Sequence, residues 1–157
     1  MVLLSAGLRC VRGLLVCTQR TKAAAYASEF EKGLFMSVLF LEYPKCSTCK
    51  KAKKWLDEHG VEYVDRDITT ENPTAAELAE WHERSGLPLR RLFNTSGMKY
   101  RELGIKAKLD VGMTDVECFD LLATDGMLVK RPLLVGDDFV IPGFKEQAWA
   151  EALGLNL

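Results

Sequence analysis

Two cysteines, Cys46 and Cys49, are separated only by Ser47 and Thr48. The stretch before them, residues 37–43 (SVLFLEY), is short, β-branched and aromatic, and it stops at Pro44, which predicts a buried strand. Residues 47–59 predict a helix, with Cys49, Ala52, Trp55 and Leu56 on one stripe, four lysines elsewhere and Gly60 as the stop. The cysteine pair therefore falls where a strand ends and a helix begins. A thiolate at such a junction faces free backbone N–H groups and the positive end of the helix dipole, and both favour the charged, nucleophilic form. Lys45 and Lys50 add positive charge nearby. The spacing brings Cys49 within disulfide reach of Cys46, and its place on the apolar stripe makes it the less exposed thiol. The chemistry expected is thiol–disulfide exchange. Cys46 attacks a disulfide or oxidised substrate, Cys49 displaces the adduct, and a cellular reductant reopens the Cys46–Cys49 disulfide.

Two other uses of the pair compete with this one. A structural zinc site needs four ligands, and outside the pair residues 36–157 supply only Cys118, His59 and His82, at unrelated spacings. A buried structural pair of thiols is the second alternative. The strand-to-helix position favours redox chemistry, and neither a metal nor a bound cofactor is expected. Cys118, beside Val116, Phe119 and Leu122, reads as core. His59 ends a helix and His82 lies among polar residues, so both read as surface or capping groups.

The elements that must position the pair follow in order. Residues 61–68 (VEYVDRDI) read as a half-buried second strand. Thr74 with Glu77, and Thr114 with Glu117, have capping-box spacing and open helices over 74–85 and 114–124. Between them lie a polar link at 94–97 and one helical turn at 100–103, ended by Gly104. Residues 133–135 and 139–141, joined by Gly136-Asp137-Asp138, read as a hairpin, and a last helix spans 145–153. A β-α-β unit places its strands parallel, and a later hairpin adds antiparallel partners. The expected fold is α/β: a thioredoxin-like mixed four-stranded sheet flanked by helices, with a helical insertion between the βαβ and ββα parts.

Composition supports one globular core. The chain has 157 residues, 48% apolar and 27% charged, with five cysteines, an odd number that full pairing within a monomer cannot satisfy. Net charge is −1 overall, but residues 1–35 hold five basic and two acidic side chains, which leaves 36–157 at −4. Such a balance offers no footprint for nucleic acid or for anionic membranes. Within 1–35, Arg9 and Arg12 interrupt any signal-peptide core, and no window is apolar enough to span a membrane. The segment is expected to be an upstream extension, with Met36 as the working start, or else a targeting tail. The domain of interest is 36–157, with a cytoplasmic location expected.

Arg131-Pro132 precedes the first hairpin strand, a position where proline can serve as simple punctuation. Together, the Cys46-Ser47-Thr48-Cys49 helix start, Arg131-Pro132-Leu133-Leu134-Val135 and Gly143-Phe144-Lys145 resemble the glutaredoxin-linked arsenate reductase and Spx family over nearly all of 37–153. The resemblance implies Cys46 as nucleophile, Arg131 as the arginine that stabilises a thiolate or oxyanion, and Pro132 as a cis proline. It also implies glutathione with glutaredoxin, or thioredoxin, as electron donor. The glutaredoxin-linked reductases carry one active-site cysteine and two further arginines, whereas Asn94 and Gly143 stand at those arginine positions here. Arsenate is therefore expected to bind weakly, with Asn94 and Thr95 donating hydrogen bonds to a neutral or peptide-like substrate. The second cysteine matches the Spx-like branch, which implies the alternative of a redox-sensing regulator that binds RNA polymerase.

Overall fold

The computed structural model describes residues 37–156. The expected extension at 1–35, with Cys10 and Cys17, lies outside the described residues, as does Met36. The strands are β1 (Val38–Glu42), β2 (Tyr63–Asp67), β3 (Leu133–Val135) and β4 (Val140–Pro142). The helices are α1 (Ser47–Glu58), α2 (Ala75–Ser85), α3 (Met98–Glu102), α4 (Ile105–Asp110), α5 (Asp115–Thr124) and α6 (Glu146–Leu153). Short 3-10 turns occupy Leu89–Leu92 and Gly126–Leu128.

The strands form one four-stranded sheet in the order β2-β1-β3-β4. β1 runs parallel to β2 and antiparallel to β3, and β3 runs antiparallel to β4. This is the mixed sheet that the element order predicts. Alternation along β1 divides its side chains between two apolar layers. Val38 and Phe40 pack with Ala52, Trp55 and Leu56 of α1 and with Trp149 of α6. Leu41 joins Leu78 and Trp81 of α2, Cys118 and Leu122 of α5, and Leu133 of β3. Burying a side chain such as Phe40, Leu41 or Leu134 contributes about 1.5–3 kcal/mol, against about 0–1 kcal/mol for an exposed ion pair. The sheet is therefore held by its two faces, and the pattern of apolar residues decides its register.

Helix starts follow the chemistry of their caps. At both Thr74 and Thr114 the hydroxyl accepts from the N–H three residues on, and the glutamate there reaches back to the threonine N–H. The apolar stripe expected on α1 is the buried one: Cys49, Ala52, Trp55 and Leu56.

Two features depart from the sequence expectations. Gly104, in the left-handed conformation (φ 58°), ends the helical turn as expected, but a further helix, α4, begins directly after it. α4 has no side-chain cap and buries only Ile105, so its sequence carries little periodic signal. The middle of β2 is more exposed than a half-buried strand implies, with Val64 at 60% exposure on an edge strand.

Gly126 matters for the site. A Cβ there would lie 2.1 Å from the backbone oxygen of Ile68 and 2.8 Å from Oδ1 of Asn72. Only glycine lets the turn after α5 press against the end of β2, and Met127 and Arg131 follow from that turn.

Candidate active site

Cys46 is the N-cap of α1, with extended backbone angles (φ −85°, ψ 123°). Its N–H donates to the Tyr43 carbonyl at 2.8 Å, which closes the turn between β1 and the helix. The thiol is partly exposed and free. It makes no side-chain cap bond of full geometry, yet the surroundings set its ionisation. Partial burial pushes its pKa up, but the Cys49 N–H and thiol, the Thr48 N–H and the Arg131 charge outweigh that, and the net direction is down from an ordinary thiol.

Cys49 has the opposite environment. It is buried, and its thiol is pushed up to about 12, first by burial and then by its hydrogen bond to Cys46 and the negative charges of Cys46 and Glu42. Glu42 is not among the residues that spacing or motif singles out. It is the one charged residue buried among the described residues, at 6% exposure. Strand alternation puts it on the α1 side of β1, the side of Phe40 and Val38. Burial raises its own pKa, helped by Asp65 and Asp67 and opposed by Lys53 and Lys50. A carboxylate at this point opposes a thiolate on Cys49, so the pair holds one reactive thiolate at Cys46 and one protonated partner beneath it.

Arg131 reaches the same place from the other half of the chain. The peptide bond to Pro132 is cis, as the resemblance implies. The guanidinium lies over the Tyr43 ring, 5.0 Å from its centroid, and Nη1 donates to the Met127 carbonyl at 3.2 Å. The ring and the carbonyl fix a side chain that favours the Cys46 thiolate. Asn94 shares that carbonyl: its Nδ2 donates to Met127 at 3.3 Å, and its N–H donates to Leu128 at 2.7 Å. Asn94, Met98, Lys99, Met127 and Arg131 line a cavity of about 340 Å³.

Thr95 does not join this group. It lines a second cavity with Arg90, Arg91, Phe93, Lys130 and Pro142, so the adjacent pairs Asn94-Thr95 and Lys130-Arg131 each send one member to each cavity. Gly143, at φ 86°, donates its N–H to the Pro132 carbonyl at 2.7 Å and supports the cis-proline turn. The remaining candidates sit where the sequence put them. Cys118 is fully buried in the core, and His59 caps α1 while stacking on Trp55 at 4.2 Å. No cluster of three or more His, Cys, Asp or Glu side chains suited to a metal occurs among the described residues.

The family model for the ArsC family matches residues 41–152, which include both cysteines, Asn94 and Arg131. The chain belongs to the ArsC family. This ArsC-family chain is 53% identical over 116 residues to the uncharacterized protein YusI of Bacillus subtilis, covering 74% of the chain and 98% of YusI. It is 29% identical over 105 residues to the regulatory protein MgsR of the same organism, covering 67% of the chain and 81% of MgsR. The crystal structure of an ArsC family related protein from Bacteroides fragilis superimposes with a TM-score of 0.71 at 52% identity, covering 75% of the ArsC-family chain and 98% of that structure. The fold is thioredoxin-like.

Beyond the residues that the sequence singles out, Glu42, Tyr43 and Met127 shape the site of the ArsC-family chain. Glu42 carried a readable signal, since an acid ending an otherwise apolar strand one turn of chain before the Cys pair is out of pattern. Met127 acts through its carbonyl, which no side-chain pattern reports.

Proposed function

We propose that this ArsC-family chain is a dithiol oxidoreductase that reduces a disulfide or small oxidised substrate. The observation that carries the reading is the opposed ionisation of two free thiols one helical turn apart, Cys46 lowered and Cys49 raised. Cys46 thiolate attacks one sulfur of the substrate disulfide. That S–S bond breaks, the first thiolate leaves with the electron pair, and a mixed disulfide forms on Cys46. Cys49 gives up its proton, attacks the Cys46 sulfur and releases the second thiolate. Two electrons have then passed to the substrate, and Cys46 and Cys49 are joined. Arg131 steadies the Cys46 thiolate before it attacks. Asn94 and Pro132 form the substrate-binding surround, while Thr95 faces the second cavity.

A thiol reductant, glutathione with glutaredoxin or thioredoxin, resets the pair in a cytoplasmic setting. Arsenate is a poor candidate substrate, because Asn94 and Gly143 replace two cations of the arsenate-reducing pattern. The similarity to MgsR, a regulatory protein, favours the second reading that the Spx-like resemblance implies, a redox switch with RNA polymerase as its partner. Turnover assays of the full chain with glutathione–glutaredoxin and thioredoxin systems, against hydroxyethyl disulfide and arsenate, separate the two. Disulfide turnover abolished by Cys46→Ser is the expected result. Stoichiometric oxidation without turnover, together with retention of RNA polymerase in a pull-down, would replace the enzyme with the switch.

A further inference from the structure

The second cavity, of about 250 Å³, is lined by Arg90, Arg91, Phe93, Thr95, Lys130 and Pro142. Three of these residues are cationic and none is acidic, although residues 36–157 carry a net −4. Arg90 is paired with Asp110. Arg91 and Lys130 make no ion pair or side-chain hydrogen bond among the described residues. Two unpaired cations thus border one hollow, beside the buried Phe93 ring, Pro142 and Thr95.

The cavity lies at the reactive end of the sheet. Lys130 directly precedes Arg131, whose charge acts on Cys46. Pro142 pairs with Leu133, and Leu133 pairs with Leu41, one residue before Glu42 at the end of β1 that leads into Cys46. Lys130 is tied in place through its own backbone, its N–H donating to the Leu92 carbonyl at 2.6 Å. The apolar part of the lining argues for the occupant: a bare inorganic oxyanion has no use for Pro142, whereas a carboxylate on a short carbon arm uses both the cations and that wall.

We infer that the Arg91–Lys130 cavity binds the carboxylate-bearing arm of an anionic thiol-derived substrate and so directs its sulfur toward Cys46. The inference rests on the dithiol reading and names its substrate class: acidic disulfides are preferred over neutral or cationic ones. The covalent step is the exchange given above, with the carboxylate arm held while the S–S bond breaks and the released thiolate departs with its electron pair.

The test uses the full chain carrying Cys49→Ser, and reads the rate of mixed-disulfide formation on Cys46 with dithiodipropionate (anionic), hydroxyethyl disulfide (neutral) and cystamine (cationic). A preference for dithiodipropionate on the order of tenfold is expected at low salt, falling as salt is raised. Adding Arg91→Ala with Lys130→Ala is expected to bring the ratio near one, with the fold checked by circular dichroism, and Arg91→Glu with Lys130→Glu to turn the preference toward cystamine. Equal rates in the parent protein, or an anionic preference that survives both double variants, would overturn the inference. If no disulfide reacts at Cys46, the dithiol reading fails and the cavity is judged on binding alone. Chemical-shift changes at Arg91, Thr95 and Lys130 on adding thiodipropionate, a dianion that cannot exchange, would then support an anion site, and their absence would overturn it.

Discussion

Cys46 and Cys49 are the same residue type one helical turn apart, and their surroundings make them different reagents. At Cys46 the favourable contacts with N–H groups and Arg131 overcome the cost of partial burial. At Cys49 burial dominates, and the negative charge of Glu42 adds to it. Because the pKa of Cys46 is lowered, its thiolate form is present above that pKa and is lost as pH falls through it. Alkylation of Cys46 therefore has a midpoint below that of a free cysteine. Arg131→Ala removes one of the supporting charges, so the midpoint moves up and the rate at pH 7 drops by roughly fivefold, the scale of a partly solvated charge pair. Iodoacetamide kinetics followed across pH, with the modified peptide identified by mass, check this. An unchanged profile would mean that Arg131 does not act on the thiolate.

At the scale of elements, what positions Arg131 is the segment from the end of α5 to the start of β3. Gly126 lets the backbone pass against the Ile68 carbonyl, Met127 then offers its own carbonyl to Arg131 and Asn94, and Phe93 bridges to Val129 in an antiparallel pair. Gly126→Ala puts a methyl group into that approach and is expected to cost at least about 1–3 kcal/mol. It should also raise the Cys46 midpoint, since Arg131 loses its anchor; chemical denaturation with the alkylation profile reads both effects. Much of this scale was legible in the sequence. The α1 stripe, both capping boxes and the hairpin were marked by residue type and spacing. The link α3–α4 was not, because a six-residue helix that buries only Ile105 has no period to read. The separation of Thr95 from Asn94 was hidden for a related reason. It depends on how the bridged segment turns its neighbouring residues to different hollows, and a linear motif places both residues together.

At the scale of the molecule, the sheet joins two parts of the chain that are distant in sequence, the Cys pair after β1 and Arg131-Pro132 before β3. Their meeting follows from the antiparallel register Leu41 with Leu133. Element order predicted that sheet, and the family resemblance supplied the cis proline; the cations around the second cavity were out of reach, since a linear sequence does not show which charges share a hollow. β2 is tied to α2 by Arg66, which donates to Glu77 at 2.7 Å and holds that carboxyl down at about 2, aided by the Thr74 cap. A carboxyl held below its ordinary value stabilises the fold above the unfolded pKa near 4.5 and loses that contribution as pH falls toward about 2. Glu77→Gln should therefore lower thermal stability at pH 7, with the gap to the parent protein closing on acidification through that window. A gap constant with pH would assign the effect to something other than the carboxylate.

The central claim is that Cys46 attacks and Cys49 resolves, and trapping the intermediate tests it most directly. The full chain with Cys49→Ser is mixed with hydroxyethyl disulfide, digested and mapped by mass spectrometry. A stable mixed disulfide on Cys46, which forms only transiently in the parent protein and is missing at Cys49 when Cys46→Ser is made instead, is the predicted result. An adduct on Cys49 in the Cys46→Ser protein, or no adduct on Cys46 in the Cys49→Ser protein, would contradict it.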